Sequence, residues 1–275
     1  MQLKEIEKLA ASVMEKAVDA KEVAGVNLLV LKDKAPVLSL QAGYADLENK
    51  VLMADDTIMR LYSMSKPVTA ACMMILMQRG LVDLNDPVSK FIPAFANQTY
   101  VNGNALSLVQ RPMTVHDLLF MTSGLSYGSD SAAGKATSDL FAEMDARLST
   151  KDAMTTREFA DRVGKNPLEF EPSSNFMYGI SADIGALIEV ISGMSFAEFL
   201  KKEITDPLEM PDTGFFVPAQ KQSRLSKVYA RTENGLTLYT GDHLAIKNKM
   251  DTLPAFQSGG AGLVSTLKDY ANFGT

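Results

Sequence analysis

The 275-residue sequence contains one cysteine, two histidines and no tryptophan. A lone Cys72 excludes an internal disulfide, and with only His116 and His243 beside it a Cys/His zinc cage cannot be built. No metal or cofactor is expected. Basic charge is not in excess either: 27 Lys and Arg against 33 Asp and Glu leave a formal net charge of -6. No basic stripe therefore invites nucleic acid or an anionic membrane. Long hydrophobic runs are missing too, since the longest, residues 70–77, is far below the roughly 20 residues of a bilayer span. Residues 1–8 read as a charged helix start without the apolar stretch of a signal peptide. These absences lead to the expectation of a soluble, cytoplasmic, metal-independent protein.

What is present is ordinary for a globular chain: 46% hydrophobic and 22% charged residues, in a length that fits one large domain or two interleaved lobes. Leu3, Ile6, Ala10, Val13 and Ala17 fall at helical spacing. Residues 26–31 and 37–40 are dense apolar runs on either side of a polar turn, which predicts two strands. A short run at 58–62 leads to Ser63, and a strongly helical pattern from Pro67 to Arg79 is closed by Gly80. The middle third is mostly helical: Thr114 caps a segment ending near Met121, and 156–163 and 181–191 carry helical apolar spacing. Asn234-Gly235 between two apolar runs predicts a hairpin. Residues 259–264 read as a glycine-rich strand feeding a helix from Thr266. The expected architecture is an α/β (α+β) fold, a mixed antiparallel sheet flanked by helices with an inserted helical lobe. Residues 1–66 and 215–275 would form the sheet lobe and 67–214 the helical one.

Nucleophilic serine chemistry needs a hydroxyl beside a base, with donors for the oxyanion. Three serines compete for that role. Ser63-Met64-Ser65-Lys66 is a Ser-x-x-Lys, whose ends share one face if a helix starts there. The helix dipole would then favour an alkoxide and push Lys66 toward a usable base. The spacing alone is weak, because 21 Ser and 19 Lys give one or two such matches by chance. Its context, a short strand before and a long apolar helix after, is what distinguishes it. Ser265-Thr266-Leu267-Lys268 is the other match, and there a capped helix with an outward lysine is the simpler reading. Gly124-Leu125-Ser126-Tyr127-Gly128 matches the nucleophile elbow formally. That elbow needs a strand before it and a helix directly after it, whereas residues 116–121 read as helix and 129–134 as loop. A helix stop and turn fits better, although His243 and Asp242 keep a triad open by inventory.

At Leu61-Tyr62-Ser63-Met64-Ser65-Lys66-Pro67-Val68-Thr69, followed by residues 81–88, the chain resembles the serine β-lactamase-like superfamily. Class C β-lactamases and their related carboxylesterases are the most similar groups. Residues 113–125, the stretch from Glu171 to Gly185 and the stretch from Gly259 to Tyr270 agree in order, so the resemblance spans nearly the whole chain. It implies Ser63 as the acylated nucleophile, Lys66 as its base and Tyr178 as the tyrosine of the family's Tyr-x-Asn element. A phenol near an ammonium has a depressed pKa and could relay the proton. Ile180 stands where the β-lactamases carry Asn and cannot hydrogen-bond a lactam's acyl-amide, which suits an ester instead. No Lys-Thr-Gly equivalent follows Tyr178, and the chain stops at Thr275 before the strand that would carry it. The expectation is an incomplete active-site wall, with a truncated chain or a second polypeptide supplying the rest.

The sequence therefore points to an acyl-enzyme serine hydrolase using Ser63, Lys66 and Tyr178, acting on small or hydrophobic carboxylic esters. Ile180, Tyr127, Gly259 and Gly260 are expected at the substrate. A β-lactamase or D-amino-acid peptidase and a non-catalytic penicillin-binding-like module are the alternatives. A small-molecule ester or amide is the expected partner; a homo-oligomer or a second chain completing the C-terminal part is left open.

Overall fold

In the computed structural model, residues 3–183, 185–233 and 235–275 are described. Helix α1, Leu3–Asp19, turns Ile6, Ala10, Met14 and Ala17 inward. Leu3 and Val13, expected on that face, are instead exposed. Strands β1, Gly25–Lys32, and β2, Ala35–Asp46, pair antiparallel from Gly25 opposite Gly43 to Lys32 opposite Ala35. Asp33 and Lys34 make the two-residue turn, both at positive φ, as a hairpin with right-handed twist requires. Pro36 has no N–H to give the ladder, and the register slips beside it between Val30 and Leu31. β3, Val51–Leu52, extends the sheet on the β2 side.

β4, Met59–Arg60, leads through a 3-10 turn at Tyr62–Met64 into α2, Ser65–Gln78. The buried face of α2 is Ser65, Val68, Thr69, Cys72, Met73 and Leu76, the three- and four-residue spacing of a helix against a core. Gly80 at φ +69° ends the run in the left-handed region that glycine adopts freely. Burial among these side chains pushes the Cys72 thiol up to about 12, so it is inert packing material.

The strands β5, Thr99–Asn102, and β6, Ala105–Leu108, form a hairpin before α3, Val115–Leu119. Thr114 and Asp117 build a reciprocal capping box at its start. The Asp117 side chain is fully buried and accepts from both Arg111 guanidinium nitrogens at 2.9 and 2.8 Å, and from Thr114 and Thr122. This cluster pins the loop that carries residues 120–128. Asp117→Ala is expected to destabilise the fold by about 3 kcal/mol in urea denaturation, near the low end for a broken buried pair because Arg111 can reach water.

Helices α4, Ala132–Arg147, α5, Thr156–Val163, α6, Ala186–Ser192, and α7, Phe196–Leu200, complete the helical side. α4 begins inside the stretch 129–134 expected as loop: Ser131 caps it by accepting from the Gly134 N–H at 2.9 Å. β7, Val228–Thr232, and β8, Gly235–Tyr239, form the expected hairpin, although Asn234 of its turn lies outside the described residues. The glycine run before residue 264 is a buried turn rather than a strand. Only β9, Val264–Ser265, is extended, and Thr266 caps α8, Leu267–Phe273.

β9 pairs antiparallel with β4, Met59 opposite Ser265 and Arg60 opposite Val264. The C-terminal part thus lies beside the strand that delivers Ser63. The Leu61 N–H to Leu263 carbonyl bond, 2.8 Å, and the Tyr270 hydroxyl on the Met64 carbonyl, 2.9 Å, tie the same turn from both sides. All paired strands are antiparallel, and the parallel contacts are isolated bridges. The main core runs from α2 through α5, α6 and α7, with Phe95, Phe159, Phe196 and Phe199 at its centre.

Candidate active site

Ser63 sits in the turn before α2, exposed, and Lys66 follows one turn on, half-buried. The Lys66 ammonium donates to three oxygens: Ser63 Oγ at 3.1 Å, Tyr127 Oη at 3.0 Å and the Gly260 carbonyl at 2.9 Å. The Tyr178 ring lies 4.9 Å from the same nitrogen and 6.3 Å, centroid to centroid, from the Tyr127 ring. The expected Ser63, Lys66 and Tyr178 are therefore brought together, and Tyr127 joins them.

Local backbone explains the placement of the two tyrosines. Gly124, at φ +79°, turns the chain after α3, and the segment after α5 lies against that turn through Glu169 N–H to Gly124 O, Ser173 N–H to Thr122 O and Met177 N–H to Met121 O. Contact is so close at Gly179 that a Cβ there would stand 1.9 Å from the Leu125 carbonyl oxygen. A side chain on the residue after Tyr178 would push Tyr178 away from Tyr127.

The electrostatics separate the roles. Burial works to lower the Lys66 pKa, as expected of a base, but hydrogen bonds with Tyr127 and Tyr178 and the charge of Asp183 outweigh it, and the net shift is upward. Lys66 is thus held as an ammonium, the reverse of the sequence expectation. Burial raises the Tyr127 phenol above its ordinary value. The Tyr178 phenol moves the other way: hydrogen bonding with Ser63 lowers it, burial opposes that weakly, and Lys66 lowers it further. Tyr178 is 52% exposed, open to anything that reaches Ser63.

Three of the expected substrate contacts need correction. Ile180 is fully buried in the main core at the start of the 3-10 turn Ile180–Asp183, so it does not line the opening beside Tyr178. Gly259 and Gly260 are buried as well. A Cβ on Gly259 would meet the Ala182 carbonyl at 2.3 Å, and one on Gly260 would meet Asp183 Oδ2 at 2.4 Å. Their lack of side chains lets the 258–262 turn nest against residues 182–183, and the Gly259 carbonyl accepts from Thr69 of α2 at 2.7 Å.

The competing serines are placed elsewhere. Ser126 is buried, and its Oγ has no hydrogen-bond partner among the described residues, which include both histidines, so no histidine prepares it as a nucleophile. Ser265 is buried in β9 against Thr213, while Lys268 points outward. Asp183 is the site residue that sequence reasoning passed over. The signal was a carboxylate five residues after Tyr178 inside an apolar helical stretch, where an ionisable group needs a partner.

A mixed α/β fold that presents a Ser-x-x-Lys pair at a helix start, faced by two tyrosines, defines a β-lactamase-like protein. The chain belongs to the beta-lactamase family, whose profile matches residues 10–275. Among solved structures it is similar to EstCE1, a hydrolase with promiscuous acyltransferase activity: TM-score 0.81, 25% identity, over 98% of this chain and 72% of that one. It is 27% identical over 274 residues to the esterase EstB of Burkholderia gladioli, covering 94% of this chain and 66% of EstB. It is 28% identical over 261 residues to the protein Rv1367c of Mycobacterium tuberculosis, 93% of this chain and 62% of that protein. The chain thus spans a little under two thirds of these curated relatives.

Proposed function

We propose that the chain is a serine hydrolase that cleaves carboxylic esters through an acyl-enzyme on Ser63. The observation that carries this reading is the single Lys66 ammonium bonded to Ser63 Oγ and set against the Tyr178 ring. Lys66 holds a full positive charge beside the nucleophile. Tyr178, with its lowered pKa, takes the Oγ proton as phenolate while Oγ attacks the ester carbonyl. The Ser63 amide, in the first turn where backbone N–H groups lack helical partners, offers one donor to the oxyanion. Tyr178 then passes its proton to the leaving alkoxide. A water repeats the sequence to release the acid, and an alcohol in its place would make the step an acyl transfer, the promiscuous activity of EstCE1.

Esters are favoured by the apolar surface beside the reacting groups. Met64 and Phe176, each within two residues of a site side chain and more than half exposed, give a hydrophobic ester apolar surface. The test is a paired assay with nitrocefin and short-chain p-nitrophenyl esters. Ester hydrolysis with slow or absent nitrocefin turnover is expected. Rapid nitrocefin turnover without ester hydrolysis would overturn the proposal.

A further inference from the structure

Asp183 lies in the 3-10 turn after Tyr178 and is the most deeply placed carboxylate near the site, 3% exposed. One of its oxygens, Oδ1, accepts from the Ser258 hydroxyl and from the Gly260 N–H, the latter at 2.8 Å. Ser258 Oγ in turn accepts from the Ala261 N–H at 3.0 Å, so the carboxylate and the hydroxyl together close the 258–261 turn. The carbonyl of the same Gly260 accepts from Lys66 Nζ at 2.9 Å. One glycine therefore touches the buried acid with its N–H and the site lysine with its carbonyl. The glycine is required there, since a Cβ would stand 2.4 Å from Asp183 Oδ2.

Burial raises the Asp183 pKa, against the pull of the Ser258 hydroxyl, the Gly260 N–H and the Lys66 charge, and a buried carboxyl left without such partners is costly. The charged group that acts on Asp183 is Lys66 of α2. The phenols of Tyr127, from the loop after α3, and Tyr178, from the segment before the turn, feel the same negative charge. Ser258 and Gly260 are its neutral partners.

We propose that Asp183 is a positioning residue: through the 258–261 turn it aims the Gly260 carbonyl at Lys66 and so fixes the ammonium beside Ser63 Oγ and the Tyr178 ring. The assignment rests on the reading of Ser63, Lys66 and Tyr178 as the reacting groups. Neither the Ser-x-x-Lys spacing nor the tyrosine implies it, because Asp183 touches neither Ser63 nor Lys66 directly.

The test compares Asp183→Asn with the parent chain in p-nitrophenyl ester hydrolysis across pH. Asn keeps an oxygen for Ser258 and Gly260 but removes the charge. Because the turn keeps its acceptor, kcat is expected to fall only about tenfold, with KM little changed. Asp183→Ala releases the turn as well and is expected to cost about a hundredfold in kcat, the scale of a small misplacement at a reacting centre. Circular dichroism and thermal melts accompany both variants. If Asp183→Asn does not fold, Ser258→Ala, which removes one of the two donors to the carboxylate, is expected to lower kcat in the same direction. A folded Asp183→Ala with unchanged kcat, a folded Asp183→Asn no faster than Asp183→Ala, or a folded Ser258→Ala with unchanged kcat overturns the assignment. Absence of Ser63-dependent ester hydrolysis in the parent chain instead defeats the reading of the site itself.

Discussion

Ser63→Ala is expected to lower ester turnover by about 10⁴-fold or more, while Ser126→Ala leaves it within about threefold. The large loss follows from chemistry, because without Oγ no acyl-enzyme forms and only binding and oxyanion contacts remain. The small one follows from packing. The Ser126 hydroxyl is buried without a partner among the described residues, and removing an unsatisfied buried polar group is neutral or mildly stabilising. The two serines also differ in access, since Ser63 is exposed and bonded to Lys66 at 3.1 Å. A fluorophosphonate probe followed by mass spectrometry checks this without a known substrate. The expected result is one adduct on the Ser63 peptide, lost in Ser63→Ala and retained in Ser126→Ala. An adduct on Ser126 would mean that the loop, not the helix start, carries the nucleophile.

The parts of this site that were legible in the sequence are those set by local rules. α2 was readable because its apolar residues recur at three and four and a left-handed glycine ends it. The Thr114 cap of α3 and the apolar spacing of α5 were legible by equally local rules. Where local rules conflict, the reading failed. The start of α4 is rich in Ser, Asp and Gly, a turn composition, yet Ser131 uses its hydroxyl as a cap and the helix follows at once. The glycines at 259 and 260 look like a strand with bulges. Their conformation is fixed instead by Asp183 and Ala182, more than 70 residues away in the chain. Ile180 shows the limit of transferring one position by resemblance. Tyr178 is turned outward and the next turn is 3-10, so the side chain two residues on points into the core. The direction of the Lys66 shift was illegible because the hydrogen bonds that overcome its burial come first from Tyr127 and Tyr178, which no spacing rule brings to α2.

Tyr178→Phe is expected to reduce kcat by roughly 10²- to 10⁴-fold, the range for removing a positioned acid–base group, with KM changed far less. The sign of the pH dependence follows from which form reacts. A phenol serves as base only when ionised, and the Tyr178 pKa lies below its ordinary value of 10.0 through hydrogen bonding with Ser63 and the Lys66 ammonium. The parent rate should therefore rise with pH through that depressed pKa. It should fall again only where Lys66, raised above 10.5, gives up its proton. In Tyr178→Phe the rising limb should vanish, leaving a low rate that is flat until Lys66 titrates. Tyr127→Phe is the control, because burial raises the Tyr127 phenol and it serves Lys66 as a neutral acceptor at 3.0 Å. Its loss should cost about tenfold and leave the rising limb in place, as removal of one hydrogen bond to a charged group does. Should Tyr127→Phe abolish the rising limb while Tyr178→Phe keeps it, the proton would travel through the buried phenol instead. The exposed one would then be only a lid on the ammonium. The two profiles cannot both keep that limb if a tyrosine is the base, so the pair of measurements decides which ring carries the proton.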